Sequence, residues 1–186
     1  MAERFHVSMG FCAFCCILGW YDMKLLGWFL LCLSGHELGH IAALMVYRIP
    51  IRSFRIQFAG AVIRHDLCTY GREFVCAAAG PLANGIIFLC AYRCFPELAV
   101  LSCLMGMANL LPIFPLDGGR MLRSVLLMRM EEVNAMRVMR CVTFATCSFL
   151  MVAACCLTMA LKVGIWPLFA ALVVLCRVGS TEQSCE

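Results

Sequence analysis

Six apolar runs separated by short charged stretches constrain the fold of this 186-residue chain more than any other feature. The runs cover roughly 7 to 21, 25 to 47, 74 to 92, 98 to 114, 141 to 161 and 163 to 176. A helix needs about 20 apolar residues to cross a bilayer, and the runs approach that length, although the first and last are short. With 63% hydrophobic and 14% charged residues, the chain has little left over for a soluble domain. We therefore predict an all-α polytopic membrane protein with about six transmembrane helices.

The positive charges are spread unevenly over the loops between these runs. With a cytoplasmic N-terminus, that side receives 12 of the 15 Lys and Arg residues and the other side receives three. The 12 are Arg4, Arg48, Arg52, Arg55, Arg64, Arg72, Arg120, Arg123, Arg129, Arg137, Arg140 and Arg177, and the three are Lys24, Arg93 and Lys162. Because cytoplasmic loops carry an excess of Lys and Arg, we expect an integral membrane protein with both termini in the cytoplasm. The charges lie in loops without interleaved aromatic residues, so we expect the lipid bilayer, and no nucleic acid, as a partner.

The connection between the second and third runs, residues 51 to 66, is too short and too interrupted to cross the bilayer. Arg55-Ile56-Gln57-Phe58 alternates in polarity, and Ala59-Gly60 can turn the chain back through Ala61-Val62-Ile63. We predict a small β-hairpin between spans 2 and 3. An ordinary amphipathic loop fits the same pattern equally well.

The fifteen cysteines raise the question of disulfides or a metal ribbon. Most of them lie inside apolar runs, where cysteine behaves as a small buried apolar side chain. Cys12 and Cys15 form a C-x-x-C, but no second pair follows at zinc-ribbon spacing. We assign the cysteines no metal or redox role.

The second run contains His36-Glu37-Leu38-Gly39-His40, an H-E-x-x-H motif. On a helix its two histidines lie about 6 Å apart along the axis and on one face, so both imidazoles can reach one metal ion. Glu37 lies on the adjacent edge of that face, where it can take a proton from a water at the metal. Ionisable side chains inside a span are costly unless they are paired or metal-bound, so this cluster indicates function.

A hydrolytic zinc site usually has three protein ligands, so one more must come from elsewhere in the chain. Of the three aspartates, only Asp117 is embedded in an apolar segment, which Pro112 and Pro115 interrupt. Gly118-Gly119 permits a tight turn that can bring the carboxylate back toward a neighbouring helix. An ordinary Asp-Gly turn explains the segment equally well, and His65 is the alternative ligand.

The H-E-x-x-H motif and Asn109-Leu110-Leu111-Pro112-Ile113-Phe114-Pro115-Leu116-Asp117-Gly118-Gly119 together resemble the two signature motifs of the site-2 protease family of intramembrane zinc metalloproteases. Ala79-Gly80-Pro81-Leu82-Ala83-Asn84 resembles a further family element. The resemblance implies zinc as the cofactor, a catalytic base and contacts to substrate. The matching residues are His36, His40 and Asp117 as zinc ligands, Glu37 as the base, and Asn109 and Asn84 at the substrate. An asparagine between packed spans is also often structural, which gives Asn84 a second interpretation.

The order and spacing of the motifs are most similar to the branch that includes the stage IV sporulation protease. This implies one transmembrane metalloprotease domain over residues 1–178 and a short cytoplasmic tail over 179–186, where members of the branch often carry a soluble regulatory domain. The implied substrate is a membrane-associated protein precursor, with a sigma-factor proprotein as the example from that branch. By the same resemblance it would be cut near the cytoplasmic side of a bacterial cell membrane in regulated intramembrane proteolysis, with membrane-embedded regulators as further partners.

Two other functions share some of these features. A metal-ion transporter also carries histidines and carboxylates inside its spans, but it predicts a polar relay through the other spans. The fifth and sixth runs contain no histidine or carboxylate. A catalytically silent membrane scaffold would have no need of Glu37 as a base.

Overall fold

The computed structural model describes residues 5–7, 9–49, 51–57, 60–65 and 69–161. The chain forms two compact units, residues 1–110 and 111–186, each of which is described by itself. The first unit contains β1 (Phe5–Val7), α1 (Met9–Tyr21), α2 (Met23–Val46), β2 (Ile51–Gln57), β3 (Gly60–His65), α3 (Tyr70–Ala91) and α4 (Pro96–Asn109). The second contains α5 (Asp117–Arg129) and α6 (Glu132–Leu161).

Local sequence signals set the ends of the helices in the first unit. Asp22 ends α1 and caps α2, because its Oδ1 accepts hydrogen bonds from the backbone N–H of Lys24 at 2.7 Å and of Leu25 at 3.2 Å. Pro96 lies in the first turn of α4, where its missing N–H costs no helical hydrogen bond. The Asp22 cap and Pro96 mark helix ends that a hydropathy scan does not show.

Small residues allow α2 and α3 to approach closely. A Cβ atom added at Gly39 of α2 would lie 2.9 Å from the Cβ of Ala83 on α3, so the backbones meet without a side chain between them. Farther along, Cys32 of α2 packs with Ala91 of α3 and with Leu98 of α4 in a buried apolar cluster. The outward faces are apolar as well, which suits contact with lipid.

The second unit has its own apolar cluster. Ile113 and Leu116 precede α5 and pack with Cys147 of α6, and all three are buried. The exposed residues of α6 include Phe144, Phe149 and Val152, which again suits a lipid environment.

The predicted number of six spans is wrong. In the described part of the chain, three helices are long and apolar enough to cross a membrane: Met23–Val46, Tyr70–Ala91 and Glu132–Cys156. Helix α1 has 13 residues and α4 has 14, so each is about 20 Å long against a hydrocarbon core of about 30 Å. The run at 163 to 176 and the tail at 179–186 lie outside the described residues.

The predicted fold class, all-α with a small β-hairpin between spans 2 and 3, needs a correction as well. The hairpin is present as β2 and β3, but a third strand that was not predicted joins it. The structure has a three-stranded sheet in the order β1-β2-β3. Strand β1 runs parallel to β2 with Phe5 opposite Phe54, and β2 runs antiparallel to β3 with Gln57 opposite Gly60. An isolated pair of strands is marginally stable, and a third strand supplies more backbone pairing. Because β1 has only three residues, its sequence has too little alternation to predict it.

Candidate metal centre and active site

Helix α2 brings the two histidines of the H-E-x-x-H motif together on its buried face. His36 is 4% exposed and His40 is 7% exposed. Their ring centroids lie 4.8 Å apart with the ring planes at 87°, and their Nε2 atoms are 3.2 Å apart. Two nitrogens that bind one tetrahedral zinc at about 2.0 to 2.1 Å lie about 3.3 Å from each other. The pair therefore has the separation that a shared zinc ion requires.

The far nitrogens of both rings face hydrogen-bonding groups of α3. His40 Nδ1 lies 2.7 Å from the backbone carbonyl oxygen of Cys76. A carbonyl oxygen only accepts, so Nδ1 carries the proton and Nε2 presents its lone pair. His36 Nδ1 lies 3.2 Å from the side-chain amide of Asn84. Partners of this kind fix the orientation and tautomer of metal-binding histidines.

Gly80 of α3 makes room for both imidazoles. A Cβ atom at this position would lie 2.8 Å from Cε1 of His36 and closer still to Nε2 of His40. The rings thus lie directly over the backbone of α3 where Ala79-Gly80-Pro81 passes. Any larger residue at position 80 would displace one ring or both.

Glu37 follows His36 on α2 and is buried with it, at 9% exposure. A carboxyl group inside an apolar span is retained at considerable cost, which favours a functional role. Its position beside the imidazoles suits a base that acts on a water held there.

Asn109, predicted to contact substrate, is the last residue of α4 and is partly buried. Its side-chain amide donates a hydrogen bond to the carbonyl oxygen of Met105 at 3.1 Å, one turn earlier in the same helix. Asn84, the other predicted substrate residue, has no exposed surface at all. The substrate roles of both residues stay predictions.

Asp117, in the second unit, is the first residue of α5 and is 7% exposed. The amino-terminal end of a helix favours a negative charge, and Arg120 Nη1 lies 3.6 Å from Asp117 Oδ1. A Cβ at Gly119 would overlap the backbone of Ile113 and Phe114. The glycine therefore lets the first turn of α5 pack on the preceding loop, which fixes where Asp117 begins the helix.

The two alternative ligands, His65 and Asp66, belong to the connection between α2 and α3. His65 is the last residue of β3, and Asp66 lies outside the described residues.

Sequence reasoning missed two residues that shape the histidine pair. The carbonyl group of Cys76 orients His40, and a backbone carbonyl leaves no trace in a residue pattern. The sequence showed Gly80 only as part of a helix start. Its spacing of four residues from Asn84, about one helical turn, was the one signal that the two share a face.

Comparisons with known proteins agree with this site. The model of peptidase family M50 matches residues 91–153. A zinc metalloprotease from Methanocaldococcus jannaschii is 33% identical over 104 residues, which cover 49% of this chain and 31% of that relative. This chain therefore spans about a third of the relative's length. A solved site-2 protease from the same organism superposes with a TM-score of 0.69 at 20% identity, covering 97% of this chain and 92% of that one.

The fold and the site define a membrane protein built like a site-2 protease around an H-E-x-x-H metal centre. The chain is similar to zinc metalloproteases of peptidase family M50 and shares the fold of a solved site-2 protease.

Proposed function

We propose that this protein is an intramembrane zinc metalloendopeptidase. One observation carries the proposal: His36 and His40 hold their Nε2 atoms 3.2 Å apart inside an apolar helix, in which Glu37 follows His36 and is also buried. Nitrogen ligands at this separation suit zinc, and the neighbouring carboxyl supplies the base that a hydrolase needs. The match of residues 91–153 to peptidase family M50 supports the same chemistry.

The third ligand in this proposal is Asp117. A catalytic zinc keeps three protein ligands and one open position, and a carboxylate added to two imidazoles completes such a set. Asp117 supports this role because it is a buried carboxylate at the start of α5, in the segment that matches the second family motif. His65 and Asp66 have no such motif around them.

Different residues of the chain have different roles in the proposed peptide hydrolysis. Zinc, when bound, polarises the peptide carbonyl and brings the pKa of water toward about 7. Glu37 takes a proton from the attacking water and later delivers it to the leaving amine, so one carboxyl acts first as base and then as acid. His40 keeps its Nε2 lone pair facing the metal because its Nδ1–H donates to the carbonyl oxygen of Cys76, and Nδ1 of His36 faces the side-chain amide of Asn84.

The proposed substrate is a membrane-associated protein precursor, cut near the cytoplasmic side of a bacterial cell membrane. The 12 arginines assigned to the cytoplasmic loops support that orientation, with both termini on the same side. The spacing of the two motifs motivates the narrower proposal of a sigma-factor proprotein controlled by membrane-embedded regulators. Asn109, at the end of α4, is the residue proposed to help place the substrate.

The decisive test replaces Glu37 by Gln. The amide keeps the shape of the side chain but loses the basic oxygen, so zinc content should stay at the wild-type level while cleavage of a co-expressed precursor is abolished. Glu131→Gln makes the same chemical change at an exposed position between α5 and α6 and should leave cleavage intact. Cleavage by the Glu37→Gln variant at a rate near wild type would refute the mechanism.

A further inference from the structure

Asn84 lies in the middle of α3 with no exposed surface. Its backbone carbonyl oxygen accepts a hydrogen bond from the hydroxyl of Ser102 on α4 at 2.9 Å. Its side-chain amide points the other way, toward α2, and lies 3.2 Å from Nδ1 of His36. A residue in this position has no surface to offer a substrate, but it touches a metal-site histidine directly.

The chemistry of that contact depends on which nitrogen of His36 binds the metal. A neutral imidazole that binds through Nε2 carries its proton on Nδ1, so the group facing Nδ1 has to accept a hydrogen bond. Asn84 can accept only through Oδ1, and a 180° turn of the amide exchanges Oδ1 and Nδ2. As placed, Nδ2 of Asn84 faces Nδ1 of His36, and the buried Oδ1 has no hydrogen-bond partner among the described residues. Turning the amide gives Oδ1 the Nδ1–H of His36 as a donor.

We propose that Asn84 is a positioning residue of the metal site and not a substrate contact. Oδ1 of Asn84 accepts a hydrogen bond from Nδ1–H of His36. This bond selects the tautomer whose Nε2 lone pair faces the metal, and it fixes the plane of the ring. The proposal rests on the proposed zinc site.

The two histidines differ in a way that makes this role measurable. His40 is held by the backbone carbonyl of Cys76, which no substitution removes. His36 is held by the Asn84 side chain, which a substitution does remove. Changes at position 84 should therefore weaken one of the ligands and leave the other in place.

The experiment measures zinc affinity by chelator competition on the full-length protein in detergent. Asn84→Leu keeps the size of the side chain but has no acceptor, and zinc affinity should fall about 10- to 100-fold, the usual loss for such a partner. Asn84→Ala, which adds no atoms, carries the same expectation should the leucine variant fail to fold. Asn84→Asp offers an acceptor in every orientation and should bind zinc at least as tightly as wild type. Ser102→Ala loses only the hydrogen bond to the Asn84 backbone and should leave zinc affinity unchanged.

Recovery by aspartate separates positioning from packing. Equal loss of zinc in folded Asn84→Asp and Asn84→Leu would show that an acceptor oxygen at position 84 is not what His36 requires, and it would overturn the proposal. Wild-type affinity in Asn84→Leu would overturn it too, provided that His36→Ala loses zinc. Retention of zinc by His36→Ala would instead refute the proposed metal site itself, so the two failures are distinguishable.

Discussion

Replacing Gly80 by alanine tests whether the imidazoles depend on the bare backbone of α3. The added Cβ would lie 2.8 Å from Cε1 of His36 and closer still to Nε2 of His40. Carbon atoms in good contact lie about 3.5 to 4.0 Å apart, so His36 has to withdraw by about 0.7 Å or more. His40 has less freedom to move, because its Nδ1 is held at 2.7 Å from the carbonyl of Cys76.

A displacement of about 1 Å at a reacting centre can cost about 100-fold in rate. We expect Gly80→Ala to lower zinc affinity by at least 10-fold and cleavage by about 100-fold. The loss comes from the position of the ligands, since neither histidine changes chemically. Chelator competition on protein purified in detergent gives the affinity, and cleavage of a co-expressed precursor gives the activity.

Gly85 provides the matched control on the same helix. A Cβ at Gly85 would meet nothing within 4 Å, so Gly85→Ala changes the helix preference of α3 by the same amount without touching the site. It should bind zinc and cleave at wild-type levels. If Gly80→Ala and Gly85→Ala bound zinc equally well, the close approach of Gly80 to the imidazoles would not control the site, and the reasoning would fail.

Two further predictions concern the third ligand and the orientation in the membrane. Asp117→Asn should lose zinc and activity while His65→Ala keeps both, as measured by metal content after purification in one detergent; the reverse pattern would move the third ligand to His65. In a cysteine-free variant, Glu131→Cys should be shielded from an impermeant thiol reagent added outside intact cells, because the arginine-rich side is expected to be cytoplasmic; rapid external labelling would reverse the topology.

The sequence predicted the resemblance to site-2 proteases and the pairing of the two histidines because those signals are local. Four residues of helix separate His36 from His40, so helical geometry alone places both imidazoles on one face, and the structure confirms that they meet. The matches to peptidase family M50 and to a site-2 protease agree with the predicted resemblance. The sporulation branch, the cytoplasmic termini and the zinc role of Asp117 stay predictions.

The prediction of six spans failed because hydropathy reports how apolar a run is and not how long its helix is. The apolar run at 98 to 114 continues past Asn109, where α4 ends, into a segment that Pro112 and Pro115 interrupt. The apolar character therefore continues after the helical hydrogen bonding has stopped. Proline spacing was the signal that should have shortened this span.

The residues that sequence reasoning could not assign are those that act on the histidines from another helix. Asn84 and the carbonyl of Cys76 reach His36 and His40 only because Gly39 and Gly80 let α2 and α3 approach without intervening side chains. A lipid-exposed helix pair has no hydrophobic driving force to bring it together, so close packing of small residues and hydrogen bonds across the interface have to hold it. In this protein the same hydrogen bonds orient the histidines. The same contacts therefore join α2 to α3 and orient the ligands of the metal site. A substitution that separates the two helices should abolish metal binding before it unfolds the chain.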